Sequence, residues 1–283
     1  MPSPAASLET AKRLQSISLE CRIDIISMLQ QAGSGHPGGS LSVIDILVTL
    51  FFHEMRMDPK DPHWSDRDRF VLSKGHGVPA LYAVLSRKEA IPKGELSSLR
   101  QINSRLQGHP DRVLLPWVEA STGSLGQGLS IAQGIALGLK TQKNSARVYC
   151  VIGDGESQEG QIWETALSAP KYDLHNLVVF LDHNNGQIDG HVDQVMDIRP
   201  IADKWRAFRW AVWEIDGHDI SQIISALEEA KGQTDSPCMI IAKTIKGKGV
   251  SFMENDVKWH GATPSKEEAE RAISEIGERM KVV

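Results

Sequence analysis

Apolar residues recur at helical spacing over residues 7–31, through Leu14, Ile17, Leu19, Ile23, Ile26 and Leu29, and Gly33 marks the stop. A second stretch, 41–52, is apolar almost throughout and predicts a core helix, followed by a short strand at 69–72 and a helix at 78–86 entered from the glycine-flanked His76. The runs 147–152 and 177–181 lack the alternation of a half-exposed strand and predict parallel strands covered on both faces. Between them, residues 158–169 carry Ile162, Ala166 and Leu167 at helical spacing. Residues 211–215, 220–230 and 238–244 then read as strand, helix and strand, and 266–280 as a last helix. This alternation predicts an α/β fold, a doubly wound parallel sheet, with residues 1–283 forming one domain. Residues 127–139 predict a helix with Ala132, Gly134, Ala136 and Gly138 on its surface, where a second backbone could come close. Residues 100–126, rich in Gly, Pro, Ser and Asn and without sustained periodicity, read as the wall of a site, because so long a loop is uncommon otherwise.

Composition narrows the partners. At 283 residues and 41% hydrophobic content the chain can bury a large core. Its net charge of -5, with acids and bases interspersed, offers no basic tract and so argues against nucleic acid. No stretch approaches the roughly 18 apolar residues of a membrane span, and the amino terminus lacks the basic and apolar regions of a leader. Cys21, Cys150 and Cys238 lie far apart, two of them in predicted strands, and read as buried reduced thiols suited to the cytoplasm.

The chemistry concentrates where strands end. Gly153-Asp154-Gly155 follows the strand at 147–152, and Asn184, thirty positions after Asp154, follows the strand at 177–181. Both would stand at the sheet edge where α/β proteins place ligands. Alone, such a tripeptide is more often an ordinary turn. In the order strand, Gly-Asp-Gly, helix, strand, Asn it points to a metal-bound diphosphate, because Mg²⁺ takes few protein oxygens and completes its octahedron with phosphate and water. One carboxylate (Asp154), one amide oxygen (Asn184) and a backbone carbonyl would suffice, and Gly153 and Gly155 would let phosphate approach the chain. His36, His76, His109, His218 and His260 stand beside glycine or in Gly/Pro turns, where any single one would read as an exposed loop histidine.

Ser34-Gly35-His36-Pro37-Gly38-Gly39, Leu72-Ser73-Lys74-Gly75-His76, Gly108-His109-Pro110, Ser121-Thr122-Gly123-Ser124-Leu125-Gly126-Gln127-Gly128 and Trp259-His260-Gly261 occur, with the Gly-Asp-Gly segment, in the order found in transketolases. The chain thus resembles the amino-terminal, diphosphate-binding third of that family. The resemblance implies thiamine diphosphate held through Mg²⁺, with Ca²⁺ or Mn²⁺ as substitutes. Asp154, Asn184 and the carbonyl of Gly186, where many transketolases carry an apolar residue, would be the metal ligands. The spacing from Asp154 and the following Ile188-Asp189-Gly190 favour Asn184 over Asn185. Gly123, Leu125 and Lys246 would bound the cofactor, while Lys248 looks peripheral. His36, His109 and His260 would bind donor hydroxyls, and His76 and His260 would also lie near the cofactor, as imidazoles titrating near working pH. Glu159, otherwise a residue that suits a helix amino terminus, would join an acidic network reaching the partner's cofactor, and the helix at 127–139 would pack near the subunit interface. His218 reads as a structural turn. The implied activity is two-carbon ketol transfer between sugar phosphates. The pyrimidine-binding and carboxy-terminal parts, with the activating glutamate and the phosphate-gripping arginines, would come from a second subunit in a two-plus-two heterotetramer. Alternatives are a related split enzyme for a branched or sulfonated sugar, the alpha chain of a 2-oxoacid dehydrogenase, against which the funnel histidines argue, and a non-catalytic subunit that only binds a partner.

Overall fold

The computed structural model describes residues 4–282, with side chains from residue 8 onward; Met1–Ser3, the start of the segment read above as carrying no leader, and Val283 lie outside the described residues. In chain order come α1 (Pro4–Ala32), α2 (Pro37–Thr49), β1 (Arg69–Leu72), α3 (Val78–Arg87), α4 (Gln127–Thr141), β2 (Val148–Gly153), α5 (Gly160–Lys171), β3 (Leu177–His183) and a small hairpin, β4 (Gly186–Gln187) with β5 (Gly190–His191). After these follow α6 (Val192–Val195), α7 (Ile201–Ala207), β6 (Ala211–Asp216), α8 (Ile220–Lys231), β7 (Cys238–Lys243) and α9 (Lys266–Met280).

Five strands pair in parallel in the order β1-β2-β3-β7-β6. Every second residue of a strand faces the same side. Tyr149 and Val151 of β2 therefore join Val178 and Phe180 of β3 against α1, α2, α3, α8 and α9, while Val148, Cys150 and Ile152 join Val179 and Leu181 against α4, α5 and α7. The expected doubly wound sheet is present, with its strands apolar on both faces as a covered parallel sheet requires. Register pairs Gly153 with Asp182 and His183 with Lys243, so the last residues of β2, β3 and β7 lie side by side at one sheet edge.

Three readings change. Helix α2 begins at Pro37 rather than residue 41, with proline in its first turn, where no N–H is missed. The helix expected from residue 158 starts at Gly160, because a tight turn, Gly155–Gln158, intervenes, and Leu167 on it is exposed while Ile162 and Ala166 are buried. On α4, Ala132 and Ala136 face the core, and only Gly134 and Gly138 open outward, as 3.6-residue periodicity separates 132/136 from 134/138. All three cysteines are unpaired and buried. No helix among the described residues is long and apolar enough to cross a membrane.

Candidate active site

The carboxyl ends of β2 and β3 open into a cavity of about 290 Å³ lined by His36, His76, His109, His260, Gly123, Leu125, Gly153, Asp154, Gly155, Glu159, Asn184, Gly186 and Lys246. Every catalytic, cofactor and metal candidate named from the sequence reaches this one space, although residues 36 and 260 lie at opposite ends of the chain. Lys248 lies outside it, as expected.

At one end are the candidate metal ligands. Asp154 closes β2 and is 2% exposed. Its Oδ1 accepts from the N–H of Gly155 at 2.9 Å, and its Oδ2 accepts from the N–H of Asn185 and faces His183 Nδ1 at 3.3 Å. Asn184 donates through Nδ2 to Asp182 Oδ2 at 3.2 Å and approaches Ser42 Oγ at 3.4 Å, while its Oδ1 accepts from Gly186 N at 3.0 Å. That fixes which way the amide points. The neighbouring Asn185 turns its side chain away, its Oδ1 accepting from Asp193 N at 3.2 Å, so the geometry favours Asn184 as ligand. The carbonyl of Gly186 accepts from Lys246 Nζ at 2.8 Å. A Cβ at Gly186 would stand 2.9 Å from both Cδ and Nζ of Lys246, which gives a physical reason for glycine here. Among the described residues no three His, Cys, Asp or Glu side chains form a metal cage. One carboxylate, one amide oxygen and one carbonyl instead fit a hard cation that shares its shell with phosphate oxygens.

Two lysines face this end. Lys74 is 1% exposed and donates to Gly39 O at 2.9 Å and to Asp182. Burial works against the charge of Asp182, but Lys74 together with Ser42 and Thr244 holds its carboxyl below the usual range. A buried pair of this kind sets position more than it adds stability, and losing one partner costs about 3–5 kcal/mol. Burial, reinforced by the Lys74 charge, lowers the pKa of Lys246 to about 8.

The other end is a cluster of imidazoles. His36 lies with its ring centroid 5.3 Å from His76, 5.5 Å from His260 and 6.2 Å from His109, and His76 stands 5.1 Å from His260. The expectation that they titrate near working pH changes. Burial, with nearby Arg100, lowers His36 to about 4; burial, with Lys246, lowers His260 to about 3; and burial pushes His76 and His109 down as well. All four are therefore neutral at pH 7. Lys246 Nζ donates to His260 Nδ1 at 3.0 Å, so a neutral His260 carries its proton on Nε2. Among the described residues the Nδ1 of His36 is buried without a hydrogen-bond partner, the kind of atom a ligand satisfies.

Gly123 and Leu125 form the facing wall. Gly123 has φ +145°, and a Cβ there would come within 2.9 Å of the His109 ring. Glu159 sits at the rim, exposed, immediately before α5, and its carboxylate caps no helix N–H. Sequence reasoning assigned no role to Lys74, Asp182, Glu156 or Ile188. Glu156 ties three segments together: its Oε1 accepts from Ser73 Oγ and from Gly126 N at 2.9 Å, and its Oε2 accepts from Gly153 N at 3.0 Å. Burial raises its pKa, against the pull of these donors. An acidic residue closing the apolar run of β3 was the available signal for Asp182, since a charge in such a place is rarely left unpaired.

The family profile described as "Transketolase, thiamine diphosphate binding domain" matches residues 14–281. A 6-deoxy-6-sulfo-D-fructose transketolase subunit from a Clostridium strain is 43% identical over 93% of this chain and 97% of its own length. An apulose-4-phosphate transketolase subunit from Phocaeicola vulgatus is 40% identical over 90% of this chain and 91% of that protein. Human transketolase is also 43% identical, over 95% of this chain but only 41% of its own length. Among solved structures, transketolase from Campylobacter jejuni superposes with a TM-score of 0.88 at 37% identity, covering 93% of this chain and 42% of that one. The enzyme from Leishmania mexicana gives 0.89 at 31% identity, covering 93% and 41%. The chain thus spans about two-fifths of full-length transketolases and nearly all of two relatives named as subunits. This chain belongs to the transketolase family and corresponds to its amino-terminal, thiamine diphosphate-binding portion.

Proposed function

We propose that this chain is one diphosphate-binding domain serving as a subunit of a two-component transketolase, which transfers a two-carbon ketol unit from a ketose phosphate to an aldose phosphate. The observation that carries the reading is the single cavity with a cation-suited end (Asp154, Asn184, Gly186) and a histidine end (His36, His76, His109, His260). Asp154 Oδ, Asn184 Oδ1 and the Gly186 carbonyl would hold Mg²⁺, with Lys246 and Lys74 offsetting diphosphate charge. Gly123 and Leu125 would bound the cofactor opposite. Thiamine diphosphate, when bound, supplies the carbanion chemistry for breaking and making the bond beside a ketose carbonyl.

The chain's own part is to hold and polarise. Neutral His36 and His109 would bind donor hydroxyls, the orphaned Nδ1 of His36 being the open acceptor or donor. His260, its Nδ1 engaged by Lys246, would present Nε2–H to the substrate oxygen whose charge changes. His76, packed against it, would shield that position. Glu159, exposed and capping no helix N–H, would extend across a subunit interface, and the small-residue face at Gly134 and Gly138 of α4 would let the other chain come close. The complementary subunit would supply the pyrimidine-binding and carboxy-terminal parts, in a two-plus-two assembly. Three buried, unpaired thiols support a reducing, cytoplasmic setting. A second reading, an unusual ketose phosphate as donor, is favoured by the two relatives matched nearly end to end, which are named for 6-deoxy-6-sulfo-D-fructose and for apulose-4-phosphate.

Titration calorimetry of thiamine diphosphate with Mg²⁺ into the assembled complex tests the site. Asp154→Ala removes the cavity's one carboxylate ligand and is expected to abolish metal-dependent binding. Wild-type affinity in that variant would overturn the assignment.

A further inference from the structure

His218 lines no part of the active cavity, yet both its ring nitrogens are engaged. It follows β6, and its Nδ1 lies 2.8 Å from Asp45 Oδ2 on α2, while its Nε2 lies 2.9 Å from the N–H of Ile245, one residue before Lys246. A backbone N–H only donates, so Nε2 is the acceptor and Nδ1 carries the proton to Asp45. Asp45 in turn receives a two-pronged pair from Arg22 of α1, at 3.0 Å and 2.7 Å, and the Arg22 Nε donates to the carbonyl of Lys248 at 3.1 Å. The Arg22 and Asp45 side chains are 5% and 7% exposed.

The consequence is local. The segment 245–248 is gripped at its first N–H by His218 and at its last carbonyl by Arg22, both organised by one carboxylate. Between those grips Gly247 donates to the Gly38 carbonyl at 3.1 Å, and the Lys246 carbonyl accepts from Asn255 N at 2.9 Å. The backbone that launches the Lys246 side chain toward Gly186 and His260 is thereby fixed at both ends.

We propose that His218 is a positioning residue for the diphosphate end of the cavity: with Asp45 and Arg22 it clamps residues 245–248 and so sets where the Lys246 ammonium stands. This rests on the reading of Lys246 as a partner of the diphosphate. The role exceeds that of a turn residue, because a turn needs only the local bond from His218 N to Asp216, which is also present at 2.8 Å.

Two substitutions separate the contacts that His218 makes to Asp45 and to Ile245. In His218→Asn the amide takes the place of Nδ1 and keeps Asp45, but cannot reach Ile245. In His218→Gln the side chain reaches the place of Nε2 and offers Oε1 to the Ile245 N–H. Hydrogen–deuterium exchange of the peptide spanning 243–249 is measured in the assembled complex, with thermal unfolding as control, alongside thiamine diphosphate affinity in Mg²⁺ and kcat at saturating cofactor. His218→Asn is expected to speed exchange in that peptide and weaken cofactor affinity about 10-fold, the low end for partners that orient a ligand rather than touch it, with a smaller fall in kcat, because Lys246 also engages His260 Nδ1. His218→Gln is expected to restore both. If His218→Asn does not fold, Arg22→Lys, which gives up the Nε bond to the Lys248 carbonyl and the two-pronged hold on Asp45 while leaving the His218 ring itself in place, is expected to shift exchange and affinity the same way. Lys246→Ala is the reference: unchanged affinity there overturns the reading on which the clamp rests. Weakened affinity in Lys246→Ala with wild-type affinity in His218→Asn and Arg22→Lys overturns the clamp alone.

Discussion

The two ends of the cavity are built on opposite principles. At the diphosphate end three buried carboxylates are satisfied by the protein itself. Asp154 accepts from the N–H groups of Gly155 and Asn185, Asp182 from Lys74, Ser42, Thr244 and Asn184, and Glu156 from Ser73, Gly126 and Gly153. At the histidine end four neutral rings crowd together, and among the described residues none has a carboxylate partner and His36 Nδ1 has no hydrogen-bond partner. The first arrangement is finished before anything binds, which fixes donor directions and limits the cost of ordering. The second leaves hydrogen-bonding capacity for a ligand to satisfy. On the proposed reading, anchoring and chemistry concentrate at different ends of one cavity, joined by the Lys246–His260 contact, and substitutions at the two ends should fail in different ways.

The sharpest contrast is between Asp154→Ala, which should cost cofactor binding outright, and His260→Ala. The latter leaves Asp154, Asn184 and Gly186 in place and is expected to keep cofactor affinity within a few-fold while lowering turnover by about 2 to 4 powers of ten, the range for a group that moves or holds a proton. Steady-state kinetics of the assembled enzyme at saturating cofactor separates the two. Turnover at the wild-type level would make His260 a bystander and erase the distinction.

A smaller effect is expected at Gly186. Alanine there would place its Cβ 2.9 Å from the Lys246 ammonium and 3.2 Å from Asn184 Oδ1. Lys246 must shift, so Gly186→Ala should weaken cofactor affinity, by less than Asp154→Ala, with a smaller fall in kcat at saturation because Lys246 also engages His260. A drop in kcat without a change in affinity would place Gly186 on the chemical side of the comparison.

How much of this was legible in the sequence follows the same division. Asp154 and Asn184 announced themselves because each directly follows a long apolar strand, and a sheet edge is a predictable place. The histidines were legible only through several short motifs in one order, since nothing in the local pattern of residues 36 and 260 says that they meet. Their lowered proton affinity could not be read at all, because it comes from burial and from Lys246 and Arg100, which only the fold brings near. Lys74 and Glu156 were missed for a related reason: their partners Asp182 and Gly126 lie on other strands and loops, where spacing carries no signal. Helix α7, seven residues long, was too short for its periodicity to register. On α4 the small residues were seen but their faces were not resolved into Ala132 and Ala136 inward and Gly134 and Gly138 outward.

The proposed division of a transketolase site between two chains is open to experiment. Its most direct test is ketol transfer, ketose phosphate to aldose phosphate, assayed with thiamine diphosphate and Mg²⁺ on the highly purified chain alone and after addition of a second polypeptide carrying the pyrimidine-binding and carboxy-terminal parts. No turnover is expected from the chain alone, and full turnover once the second polypeptide is present. Robust transfer by the single chain, free of any other polypeptide, would contradict it.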